Sequence, residues 1–157
     1  MLAQDIFDTA PLGATIRFFN GAAKPPLRFI KKLKAWENDN GTGRLTVKAG
    51  NSRMGNTISK PGFALHLATY SSAGTPILIV TRHYSVNCAL EFEVLDVPQP
   101  GMVRVLTEWN GTVELRHLAG DMDAARRWSG QNRYSDMRFD AVSADEANCL
   151  TQIRRAA

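Results

Sequence analysis

Residues Met102–Ala119 read MVRVLTEWNGTVELRHLA, and this stretch decides the fold class. Two runs rich in Val, Leu, Thr and Trp flank Asn110-Gly111, the pair that most readily takes positive φ at both central positions of a type I′ turn. β-branched and aromatic residues suit a pleated, half-buried strand, so the stretch predicts an antiparallel hairpin. With a two-residue loop, Leu106 faces Leu115 and Trp109 faces Thr112.

Further strands precede the hairpin. ATIRFF (Ala14–Phe19) is a first candidate and NGAAKPP after it a turn. RLTVKA (Arg44–Ala49), FALHLATY from Phe63, PILIVTRHYSV from Pro76 and ALEFEVLDV from Ala89 follow. PQPG (Pro98–Gly101) then breaks the chain before the hairpin. After the hairpin the pattern turns helical. DMDAARRW predicts a short helix from Asp121, ended near Gly130, and RYSDMRFDAV an edge strand. Ser143 and Glu146 have the spacing of a capping box, so SADEANCLTQIRR predicts a terminal helix, with Arg154 and Arg155 complementing the dipole of its last turn. The expected architecture is α+β: a single domain, residues 1–157, with a mainly antiparallel sheet of five to seven strands and two or three helices packed against it.

The composition is that of an ordinary globular chain, 44% hydrophobic and 22% charged. No apolar run approaches the roughly 18–20 residues of a membrane helix. MLAQDIFDTAPLG at the N-terminus carries two acids where a signal peptide needs basic residues, so a cytoplasmic location is the expectation. Cys88 and Cys149 are too few and too far apart for a disulfide framework or a zinc pattern, and read as small apolar residues.

The charge is distributed unevenly. Residues 24–60 hold nine Lys and Arg against Glu37 and Asp39, a net +7, whereas the whole chain carries +4. Within that segment, KPPLRFIKKLKAWENDNGTGR (Lys24–Arg44) places Phe29, Leu33 and Trp36 at i, i+4 and i+7, a helical stripe. Pro26 suits a first helical position and Asp39–Gly41 a stop, so residues 26–38 predict an amphipathic basic helix. Phe29 and Trp36 are expected to face the core, which would leave Arg28, Lys31, Lys32 and Lys34 outside. Arg44, Lys48, Arg53 and Lys60 extend the basic face beyond the helix.

Motifs for chemistry fail on spacing. GNSRMGNT (Gly50–Thr57) follows a strand and spaces two glycines as a P-loop does, yet Asn56 stands where the phosphate-binding Lys belongs and Pro61-Gly62 interrupts the helix that should follow. His66, His83 and His117 fall on separate strands without a paired spacing, so no metal site and no cofactor is predicted. His83, Ser85 and Cys88 in RHYSVNC are the candidate catalytic set, but a strand points His83 and Ser85 one way and Cys88 the other. Glu91 and Glu93 share a strand face and repel unless a cation lies beside them.

The function expected from these residues is a small binding protein rather than an enzyme. Its basic face, formed by Arg28, Lys31, Lys32, Lys34, Arg44, Lys48, Arg53 and Lys60, would contact nucleic acid or another polyanion. No membrane partner is expected. The alternative is a protein-interaction or inhibitor module, of the compact accessory kind carried by mobile genetic elements, docking on an acidic protein or nucleoprotein surface.

Overall fold

The hairpin forms in the register expected of it. The computed structural model describes residues 1–54 and 56–146, without the side chains of Arg53, Met54 and Thr57. Strands β8 (Val103–Trp109) and β9 (Thr112–Ala119) are joined by Asn110 and Gly111, with φ of 51° and 76°. Leu106 lies opposite Leu115 and Trp109 opposite Thr112. The register then shifts, because Val105 pairs with His117 and Arg116 is left over as a bulge.

The remaining strands are β1 (Thr15–Phe19), β2 (Gly41–Ala49), β3 (Ser52–Met54), β4 (Thr57–Ser59), β5 (Gly62–Ser72), β6 (Thr75–Ser85), β7 (Glu91–Asp96) and β10 (Arg138–Ala141). The α+β architecture expected from the sequence is the one observed: an antiparallel sheet, here of eight strands, curled as a half-barrel. β3 and β4 form a separate small hairpin within the polar Gly50–Gly62 stretch. β10 is the edge strand suggested by RYSDMRFDAV and pairs with β8.

Strand β2 is the branch point. One side pairs with β5 from Arg44 to Ala49. The other pairs with β1 from Gly41 to Arg44 and touches β9 at Val47–Glu114. The sheet therefore divides into two arms, β1–β7 and β9–β8–β10, with β5–β6 on the opposite side.

Among the described residues, three helices of seven or more residues accompany it: α1 (Ala3–Thr9), α2 (Ile30–Asp39) and α3 (Met122–Gln131). Helix α1 has no forecast in the sequence patterning, and it supplies the core contact expected of α2. Its Ala3 and Ile6 are buried with Ile16, Phe18, Leu45, Phe63, Leu65, Tyr84 and Phe92. Phe18, Phe63, Tyr84 and Phe92 form an aromatic cluster with ring centres 5.3–5.6 Å apart, within the range of favourable tilted and edge-to-face packing. Helix α3 covers the other arm, burying Ala125 against Val103, Val105 and Ala119. It begins where the sequence places it: the Asp121 carboxylate accepts from the Ala124 amide at 2.7 Å.

Near the chain's end the capping pair behaves differently from its expected pattern. Ser143 Oγ accepts from the Glu146 amide at 3.2 Å, but the Glu146 carboxylate turns to Arg104 at 2.6 Å instead of returning to Ser143. Residues 144–146 are helical; the rest of the predicted terminal helix, with Cys149, Arg154 and Arg155, lies outside the described residues.

Candidate nucleic-acid interface and a polar cleft

Among the described side chains, the predicted basic residues do not form one surface. Arg28 precedes α2, Lys31, Lys32 and Lys34 lie on it, and all four are exposed. Arg44 projects on the opposite face of β2 from buried Leu45. A bulge then leaves Thr46 unpaired, so that Lys48 pairs with Phe63 and turns to the core side. There Lys48 is half-buried, and desolvation lowers its pKa while the charge of Asp8 partly restores it. Arg53 is on β3, and Lys60 is exposed after β4.

Helix α2 differs from its predicted role. Not one of its residues is buried. Phe29, just before it, is 41% exposed, Leu27 75% and Ile30 64%. Polar contacts dock the helix instead. Trp36 Nε1 donates to the Ala22 carbonyl at 2.7 Å, Asn40 Nδ2 donates to Asn20 Oδ1 at 3.1 Å, and Arg82 donates to the Asn38 carbonyl. The expected helix over 26–38 begins only at Ile30, so Phe29 is its N-cap and the stripe loses its first member; the core contact is made by α1 instead.

The consequence is a surface in which cations lie beside one exposed ring, Phe29, and one half-buried ring, Trp36. The Arg28 guanidinium lies 4.8 Å and the Lys32 ammonium 5.4 Å from the centre of the Phe29 ring, and Lys24 lies 5.7 Å from the Trp36 ring. Among the described residues, every ion pair is made by an arginine outside the 24–60 segment: Arg17, Arg104, Arg116 and Arg138. The lysines of α2 thus make no ion pair among the described residues, although Glu37 and Asp39 lie on the same helix.

A second feature has no single motif in the sequence. A cleft of about 290 Å³ opens between β2–β5–β6 and β9–α3. Arg44, His66 and Thr81 stand in one cross-strand row on its sheet side. The Arg116 bulge lets both Arg116 and His117 line the opposite side, which successive residues of a regular strand would not do. His117 stacks on Trp128 at 4.8 Å, and Trp128 on Tyr134 at 5.9 Å. Arg116 lies 4.8 Å over Tyr134 and donates to Glu114 Oε1 at 2.8 Å and Thr107 Oγ1 at 2.9 Å. Burial, and then the charge of Arg44, push the His117 pKa below its ordinary value. His66 Nε2 is 2.7 Å from Thr69 Oγ1. Bulges at Thr46, Leu67 and Arg116 surround this cleft, and only pairing registers reveal them.

The other sequence candidates separate. His83 and Ser85 are exposed on β6, while Cys88 packs against the core, and none of the three lines the cleft. Glu93 has its cation in Arg17 on the neighbouring strand, at 3.4 Å. Among the described residues no three His, Cys, Asp or Glu side chains gather as a metal site, and no helix is long and apolar enough to cross a membrane.

Fold and surface together define a curled antiparallel α+β protein with an outlying basic helix. The chain belongs to the family described as uncharacterised conserved protein UCP036055, whose model matches residues 1–146. Neither a curated protein nor a solved structure matches it.

Proposed function

We propose that this protein binds nucleic acid through α2 and the segment leading into it, with Arg28, Lys31, Lys32 and Lys34 on the phosphates. One observation carries the reading: these cations have no carboxylate partner among the described residues, and an exposed ring, Phe29, sits between them. Unpaired cations attract a polyanion by releasing its counterions, and an exposed ring offers bases a stacking platform. Single strands, whose bases are free to stack, suit the surface better than a duplex. Arg44 and Lys48, which the fold turns elsewhere, are not needed.

A protein partner is the second reading, favoured by β6. Among the described residues this strand pairs only with β5, and it exposes Ile77, Leu78 and Ile79, an edge able to accept an added strand. Titrating labelled single-stranded DNA, RNA, duplex DNA and anionic lipid vesicles with the protein separates the possibilities. The expected result is tightest binding to a single strand, retained in an Ile77→Glu variant. Absence of binding to all nucleic acids at about 50 mM salt refutes the nucleic-acid reading, and preference for vesicles transfers α2 to a membrane surface.

A further inference from the structure

We propose that the cleft between β2–β5–β6 and β9–α3 is a separate binding site for a mononucleotide, a flat heterocycle carrying one phosphate. Its two sides differ in a way that matches the two halves of such a ligand. Toward the sheet are the Arg44 guanidinium, the hydrogen-bonded pair of His66 and Thr69, and the Thr81 hydroxyl, groups suited to the oxygens of a phosphate, while the Thr46 hydroxyl donates to the Ala64 carbonyl at 3.3 Å. Toward α3 are the parallel rings of His117, Trp128 and Tyr134, the last two only 7° from coplanar orientation, with Pro76 and Ile79 also lining the space.

The charges favour an anion without demanding a large one. Glu114 engages Arg116 and holds it over Tyr134, whereas Arg44 has no carboxylate partner among the described residues. Arg44 therefore remains available as the counter-charge of the phosphate. The cleft's size, about 290 Å³, falls at the lower limit of ordinary ligand clefts, roughly 300–1,000 Å³, so it suits a mononucleotide better than a dinucleotide cofactor. The three surrounding bulges are of the kind that re-aim side chains at a site. No residue of α2 lines the cleft, so this site stands or falls independently of the nucleic-acid surface.

The test is calorimetric titration of the full chain with adenosine and uridine 5′-monophosphates, beside adenosine and inorganic phosphate. Exposed Arg44→Ala and Tyr134→Ala variants are used, each checked for an unchanged thermal midpoint. The expected result is saturable binding of a mononucleotide, weakened about tenfold by loss of either the nucleoside or the phosphate, and about tenfold in each variant, the effect of one charge-assisted contact or one lost aromatic wall contact. Absence of saturable mononucleotide binding at millimolar concentration overturns the proposal. So does mononucleotide binding that neither variant weakens.

Discussion

The Arg28 guanidinium lies 4.8 Å from the centre of the Phe29 ring, on a side of the molecule where the ring is open to solvent. In the proposed nucleic-acid reading, this phenylalanine serves as a stacking platform with a phosphate-binding group beside it. Phe29→Ala should therefore weaken single-stranded binding by about 1–3 kcal/mol, the ordinary worth of one base–aromatic stack. It should leave folding stability within about 0.5 kcal/mol, as exposed substitutions do. Anisotropy titration and thermal denaturation of the same variant check the two halves; a large loss of stability would show that Phe29 serves the fold instead.

Arg104 makes the opposite use of a cation. It is 5% exposed and joins four parts of the chain: Nε donates to the Leu12 carbonyl at 2.8 Å, while its two terminal nitrogens reach Asp140 at 3.0 Å and Glu146 at 2.6 Å. These partners raise its pKa against the opposing effect of burial. Its carboxylates are partly exposed and regain water when it is removed, so Arg104→Ala should cost about 2–3 kcal/mol, less than the roughly 3–5 kcal/mol of a fully buried pair. Urea denaturation measures it.

The Tyr84 hydroxyl is buried and has no hydrogen-bond partner among the described residues. Burial raises its pKa, although the nearby Arg82 opposes part of that shift. Tyr84→Phe keeps the ring contacts with Phe18, Phe63 and Phe92 and removes an unsatisfied polar atom. It should be neutral or stabilise the fold by up to about 1 kcal/mol, seen as an unchanged or higher thermal midpoint.

His117 predicts a pH dependence. Its folded pKa lies below the ordinary 6.5, so the folded chain binds this proton less readily than the unfolded one. The stabilisation is complete above the unfolded value and is lost as pH falls toward the lowered folded value. Thermal midpoints of wild type and His117→Phe between about pH 7 and 5 should show a shallower decline in the variant, whose ring retains the stack on Trp128. Parallel declines would contradict the assignment.

The strands of the main sheet were legible because each carries its own signal, whereas β3 and β4 fall in a polar stretch with no strand pattern. Asn110-Gly111 sets both the hairpin and the Leu106–Leu115 register locally, and Asp121 caps α3 with its own carboxylate. The apolar stripe of α2 was equally legible, but a stripe does not say what covers it. Burial of Phe29 and Trp36 depended on which helix packs on the core, and that helix is α1, seven residues with a weak pattern. The cleft is less legible still. Arg44 and His66 are 22 positions apart, and they meet Arg116 and His117 only through β2 pairing with both β5 and β9. The bulge that turns Lys48 away from Arg44 arises from a pairing register that no local pattern announces.

The salt dependence of single-stranded binding tests the central claim most directly. The logarithm of affinity should fall linearly with the logarithm of salt concentration, at a slope of about −0.7 for each phosphate neutralised. Replacing Lys31, Lys32 and Lys34 by Glu should make that slope shallower by at least about 2 and weaken binding at every salt concentration. A slope and affinity unchanged by the triple substitution would contradict the account and place any nucleic-acid contact away from α2.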